Sequence, residues 1–346
     1  MTWTRRRFLT ASGAALGAVA WRGRARAEAP KAITVAHGVS TVVYVLHVAR
    51  EKKFFEAEGV AVPSLIVPGG GAKVVQALAT GRAMFALGDL DQALRLGVKG
   101  KDARMVFATD ARCAYANLVV RKDLFDKGVT SVEVLGDPRL VGRKAVVAAT
   151  AIGSGTYAYG AAILGTVNEQ VEWVSGGAST TMLGGLKAGR FDAIVAFPEW
   201  QWAAEEEGFG KTVYDAQDAK AWTRVFGGPT PVTVGYALRE TIQTSPDLVQ
   251  AYVTACYRAQ QWIHRAKDEE VVELLHKPYM DGFTRDLVLR SVKYHRALFD
   301  WDFTIDEKSY ENAMKVWVPL AVDTPVPYAK AVEMAFVRKA RAELKS

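Results

Sequence analysis

From Lys31 onward the chain alternates short apolar runs with longer amphipathic stretches. The run Lys31-Ala-Ile-Thr-Val-Ala-His37 is short and β-branched and stops at Gly38, which predicts a buried strand. Leu46, Ala49, Phe54 and Phe55 then fall on one side of a helix predicted over 42–57 and ended at Gly59. Residues 60–67 alternate as a second strand, 72–80 read as a helix ended by Gly81, and 84–88 read as a third strand. Strands alternating with helices argue for parallel βαβ units.

The same order returns. Lys144-Ala-Val-Val-Ala-Ala-Thr-Ala-Ile-Gly-Ser-Gly-Thr-Tyr157 echoes the segment from Lys31 to Tyr44. Val174-Ser-Gly-Gly-Ala-Ser-Thr-Thr-Met-Leu-Gly-Gly-Leu-Lys-Ala-Gly-Arg190 echoes Val67-Pro-Gly-Gly-Gly-Ala-Lys-Val-Val-Gln-Ala-Leu-Ala-Thr-Gly-Arg82, with the Gly-Arg pairs 108 residues apart. The first of these glycine-rich helix starts resembles a phosphate loop only superficially. Ala72 precedes Lys73 and Val74 follows it, and the second copy drops the lysine. What recurs is a helix start, so the chain is expected to hold two similar α/β lobes. Residues 117–122 and 233–238 read as crossings between them. After Ser245-Pro246 the pattern turns helical, with Leu248, Ala251, Ala255, Ala259 and Trp262 on one stripe. Further helices are predicted over 285–299 and 307–316 and are expected to pack on the first lobe.

Charge changes the picture at the N-terminus. Thr4-Arg5-Arg6-Arg7-Phe8-Leu9-Thr10 is a twin-arginine pattern, followed by a weakly apolar run to Trp21 and by Ala25-Arg26-Ala27. This order predicts an export leader over 1–27, cleaved near Ala27, by the twin-arginine route to the periplasm. The leader carries six arginines and no acid, so its removal lowers the formal net charge from +7 to +1. A basic face for nucleic acid is therefore not expected. No uninterrupted apolar run is long enough to span a bilayer. Cys113 and Cys256 lack CxxC spacing, and two buried free thiols are expected.

Several features occur together: the leader, the pattern Ala49-x(4)-Phe54-Phe55-x(3)-Gly59-Val60, and the two Gly-Gly…Leu-x-x-Gly-Arg units. Leu118-Val-Val-Arg-Lys-Asp123 and the Asp192-Ala193 after the second Gly-Arg belong to the same set. In these the chain resembles periplasmic substrate-binding proteins of the nitrate/sulfonate/taurine/thiamine-precursor type, which feed small molecules to ABC importers. Lys53 and Met84 depart from that pattern, standing where similar proteins often carry Gly and Asp. The resemblance implies two Rossmann-like lobes joined by two hinge strands, the type II periplasmic binding protein fold, with the ligand clamped between them. The expected division is 31–118 with 236–346 for the first lobe and 119–235 for the second. The implied partners are a small-molecule ligand and an inner-membrane permease with its ATPase. A monomer without cofactor is expected.

Ligands of open α/β sheets lie beyond the carboxyl ends of the strands, so residues just after strand ends are the site candidates. In the first lobe these are His37, Ser40, Thr41, Tyr44, Gly70, Gly71, Asp89 and Asp91, with Tyr115 near the hinge. In the second they are Ser154, Gly155, Thr156, Tyr157, Ser179, Thr180, Glu199 and Trp200. Each also has a plain reading, as a helix cap, a loop acid or a core aromatic. Asp89, Asp91 and Glu199 beside several aromatics favour an amine, a zwitterion or a nitrogen heterocycle. A sulfonate- or nitrate-type anion binder and a periplasmic ligand sensor are the alternatives. Catalysis has little to stand on: the five histidines show no metal spacing, and no GxSxG or full GxGxxG occurs. Thiamine-pyrimidine synthases share the implied fold, but their cysteine-rich motif is missing.

Overall fold

A computed structural model describes residues 30–38, 42–67, 71–318, 320–322 and 324–344. The predicted leader, Ser40, Thr41 and Gly70 lie outside the described residues.

The first βαβ passage is more broken than its pattern suggests. Lys31–Ala32 (β1) and Val35–His37 (β2) are separate strands, and so are Val60–Ala61 (β3) and Leu65–Ile66 (β4). β1 pairs with β3 in a small sheet of its own, while β2 and β4 join the main sheet. The predicted helix over 42–57 is two helices, Tyr44–Glu51 (α1) and Phe54–Ala57 (α2). Lys53 separates them at a φ of 57°, a left-handed conformation that a helix interior does not accept. Gly71–Ala79 (α3), Phe85–Asp89 (β5), Leu90–Val98 (α4) and Ala103–Ala108 (β6) complete the passage.

The chain crosses into the second sheet at Asn117–Arg121 (β7) and continues through short helices Lys122–Asp126 (α5), Val132–Leu135 (α6) and Pro138–Val141 (α7). The repeat follows: Ala145–Ala149 (β8), Gly155–Leu164 (α8), Val171–Ser175 (β9), Ser179–Lys187 (α9), Ala193–Ala196 (β10), Pro198–Glu206 (α10) and Gly210–Tyr214 (β11). After Ala219–Phe226 (α11), Thr233–Leu238 (β12) returns to the first sheet. The strand orders are β4-β2-β5-β12-β6 and β9-β8-β10-β7-β11. Each sheet thus takes one crossing strand, antiparallel, between its third and fourth members: β12 between β5 and β6, β7 between β10 and β11. Asn117 and Leu118 therefore sit in the second sheet and Thr233 to Gly235 in the first, two or three residues from the expected boundaries.

Past β12 come Arg239–Thr244 (α12), Pro246–Arg265 (α13), Asp268–Tyr279 (α14), Arg285–Arg296 (α15), Glu307–Trp317 (α16), Tyr328–Ala331 (α17) and Ala335–Glu343 (α18). α13 starts on proline and buries its apolar stripe in the first lobe, where Tyr252 stacks on Phe85 at 4.5 Å. The other two predicted helices do not both stay there. α16 packs on α8 and α11 of the second lobe, with Trp317 edge-on to Tyr159 at 5.8 Å and Asn312 Nδ2 donating to the Pro229 carbonyl at 3.1 Å. Its apolar stripe carries no mark of which lobe it covers, and tertiary packing decides. α15 touches both lobes. Asp192, which follows the second Gly-Arg pair, is wholly buried, accepts the Val146 N–H at 2.8 Å and pairs with Arg121 and Arg143. Cys113 and Cys256 are free and buried. No helix among the described residues is long and apolar enough to cross a membrane.

Candidate functional site

The helix starts of the two lobes face one another, and contacts cross between them in two places. The first is built where β5 ends. Asp89 leaves the strand in extended backbone and opens α4, and its side chain makes no capping bond to the helix. Asp91 sits in the first turn, where the partial positive charge of a helix N-terminus favours an acid. Arg95, one turn on, donates Nε to Asp91 Oδ2 at 2.6 Å and Nη2 to the Gly153 carbonyl of the second lobe at 3.3 Å. Gly153 holds a φ of 79°, which suits glycine and presents that carbonyl. Tyr115, buried in the hinge, presses on Gly155 so closely that a Cβ there would lie 2.6 Å from its hydroxyl.

This place holds two acids to one base. Burial first, and the Asp91 carboxylate second, push Asp89 up to about 8, and the nearby Tyr115 hydroxyl only partly offsets this. Asp91 is also raised by burial, against the pull of Arg95. Asp91 pairs with Arg95 while Asp89 lies buried beside that carboxylate, so Asp89 carries a proton at neutral pH unless a cation takes its place.

The second crossing joins α1, α15 and α10. The Tyr44 hydroxyl shares a hydrogen bond with Ser291 Oγ at 2.9 Å, and Ser291 Oγ lies 2.7 Å from Glu199 Oε1, to which it donates. His295, buried beside them, gives its Nδ1 to the Ser291 carbonyl at 2.8 Å and leaves Nε2 without a partner. Burial lowers its pKa against the pull of Glu199. Two more residues tie α15 to the second lobe. Arg290 pairs with Glu206 and lies 4.2 Å over the Trp202 ring, and the Tyr294 hydroxyl bonds Asn117 Oδ1 at 3.0 Å. An aromatic run leads from the first crossing into the second lobe: Phe197 lies 5.2 Å from Tyr115 and 4.9 Å from Trp200.

The structure thus brings together Asp89, Asp91, Tyr115 and Gly155 at one crossing and Tyr44 and Glu199 at the other, while half-buried Trp200 packs on the second lobe's core cluster with Met182 and Leu186. Other candidates go elsewhere. His37 turns its ring to the edge of His47, 5.2 Å away, and His47 stacks on Tyr279 at 3.8 Å. Burial lowers His37 to about 4 and His47 to about 3, so both imidazoles are neutral core groups at physiological pH. Gly71 leaves room for the Gln92 side chain, whose amide nitrogen would be 2.8 Å from a Cβ there, and Gln92 Oε1 accepts from Tyr236 at 2.9 Å. The Ser154 and Thr156 hydroxyls are spent locally: Ser154 Oγ donates to the Ala151 carbonyl at 2.6 Å, and Thr156 Oγ1 bonds Thr150 Oγ1 at 2.8 Å. Ser154 also caps α8, the plain alternative for this element. Tyr157 packs edge-on to Trp173. Ser179 and Thr180 open α9 with no side-chain cap from Ala178.

Arg95 and the pair Ser291 and His295 escape the strand-end rule. An acid four residues before an arginine, as in Asp91 and Arg95, is the signal that marks the first. Ser291 lies 247 residues from Tyr44, and nothing local announces that contact.

Two facing jaws of helix starts, each set beyond the carboxyl ends of a mixed sheet, make this a periplasmic binding protein fold. The chain belongs to the NMT1-like family, whose model matches residues 26–276. Among solved structures, one from Bordetella bronchiseptica RB50 is 23% identical, with 92% of this chain and 99% of that chain covered and a TM-score of 0.74. SsuA from Methylobacillus flagellatus KT, the periplasmic sulfonate-binding protein of a putative sulfonate ABC transporter, is 17% identical over 92% and 96% of the two chains, at a TM-score of 0.69. The desulfurization enzyme DSZB is 17% identical over 91% and 99%, at 0.62. At such identities the likeness establishes the fold, which a binder and an enzyme both use. No curated protein matches the chain by sequence.

Proposed function

We propose that the chain is the solute-binding component of an ABC importer. In this reading it works in the periplasm as a monomer, captures a small solute between its lobes and hands it to a permease with its ATPase. The family and the fold of the sulfonate-binding relative support the class. The favoured ligand is a compact solute with a positive or hydrogen-donating nitrogen. The observation behind this preference is the buried Asp89 carboxyl: Arg95 pairs with its neighbour Asp91, and the Tyr115 and Phe197 rings lie alongside.

The reading carries a sign. A cation binds ionised Asp89, so binding at neutral pH displaces a proton from a group held near 8. Affinity therefore falls as pH drops below that value. The test is a thermal-shift panel of amines, zwitterions, nitrogen heterocycles, sulfonates and nitrate, followed by calorimetry of the hit in two buffers of different ionisation enthalpy. An amine hit with proton release, weakened about tenfold or more in Asp89→Asn, is the expected result. A hit confined to sulfonates or nitrate, unchanged in that variant, transfers the ligand class to the open helix start at Ser179 and Thr180. Turnover of any hit would place the chain beside the enzyme relative instead.

A further inference from the structure

Away from the cleft, α4 has a second use. Asp91 and Arg95 occupy one strip of this helix and reach the other lobe, while Ala93, Leu94 and Gly97 lie on its opposite flank and line a separate cavity of about 460 Å³. Residues 102–105 of the β6 edge form its floor, with Arg239 and the C-terminal segment carrying Val326, Lys330 and Ala331 closing it. The walls are apolar, from Leu94, Met105, Val326 and Ala331, and cations gather at the rim. Arg104 and Arg239 share the single lining carboxylate, Asp102, at 3.7 and 3.2 Å. Lys330 is a third cation, with no ion pair among the described residues. Arg104 is mostly buried, its side chain 15% exposed, and is fixed by one bond from Nη1 to the Ala329 carbonyl at 2.5 Å.

Three cations against one carboxylate, between apolar walls of ligand-pocket size, form a receptor for an organic anion with an aliphatic body. We infer that this cavity is a second binding site, distinct from the cleft, for a short-chain aliphatic carboxylate. The inference does not rest on the cleft's ligand. The cleft is richer in acids than in bases and this cavity richer in bases than in acids, so the two differ in the ligands they select.

Hexanoate is the probe, followed by calorimetry and by heteronuclear NMR of the whole chain. It is expected to bind saturably with a Kd of about 1 mM or tighter. Sulfate, which lacks the tail, and hexan-1-ol, which lacks the charge, bind about tenfold or more weakly. The double variant Arg104→Gln with Arg239→Gln weakens hexanoate by about tenfold or more. Should that variant disturb the C-terminal segment, Gly97→Leu gives an independent arm. A Cβ at Gly97 meets nothing within 4 Å, and leucine is the better helix former, so the variant folds and fills the cavity. Asp89→Asn leaves hexanoate binding unchanged. Absence of saturation, full binding in Gly97→Leu, or loss in Asp89→Asn would each overturn the assignment.

Discussion

The two lobes carry the same unit, and the informative place is where its third strand ends. With the 108-residue offset of the Gly-Arg pairs, Asp91 of the first lobe corresponds to Glu199 of the second, and Asp89 to Phe197. Both copies keep an acid in the first turn of the following helix, where the helix dipole favours it. At the strand end itself they part: one jaw presents a carboxyl group, the other an aromatic ring. A duplicated scaffold has thus become an unsymmetrical clamp. The same offset pairs Met84 with Asp192, and the lobes divide there too. In the second lobe the Asp192 carboxylate takes a strand N–H, and in the first the Thr34 hydroxyl accepts from Met84 N at 3.0 Å.

Breaking this last contrast should give the largest effect. Asp192→Ala leaves a buried strand N–H without its acceptor and removes the carboxylate that Arg121 and Arg143 both pair with, and is expected to cost about 3 kcal/mol in urea unfolding, whereas Met84→Ala costs about 1. Equal costs would mean that the two positions do the same work. At the strand ends, Phe197→Leu should weaken a ring-bearing ligand about tenfold while leaving the proton release of Asp89 intact. Loss of proton release in that variant would merge the two jaws into one. Ser291→Ala removes the hydroxyl between Tyr44 and Glu199 and should lower stability by about 1 kcal/mol, with no effect if solvent already serves Glu199. Smallest in energy is Arg95→Gln. Its side chain is 35% exposed, so a stability change of at most about 0.5 kcal/mol is expected. Its signature is geometric: small-angle scattering of the ligand-free protein should show a larger radius of gyration, and an unchanged radius would remove Arg95 from lobe closure.

Much of this was written in local pattern. The duplicated βαβ order, the crossing strands and the positions of Asp89, Asp91 and Gly155 after strand ends all follow from period, turn residues and repeat, with Tyr115 placed by its nearness to the crossing strand. The break at Lys53 did not show, because a lysine in left-handed backbone has no composition signal. His37 read as a site candidate because it ends a strand, and only the packing of His47 and Tyr279 shows where its ring goes. Ser291 and α16 escaped for a related reason: an amphipathic helix announces that one face is covered, never by what.

The seat of α16 bears on how the molecule comes into being. Tyr159 and Trp222 belong to the middle of the chain, yet Trp317, near the other end of the sequence, closes the aromatic cluster around them. A ribosome delivering residues in order finishes the second sheet long before it delivers that lid. The lobe begun second is therefore sealed among the last, and a nascent chain carries those rings without their lid over the 95 residues from Trp222 to Trp317.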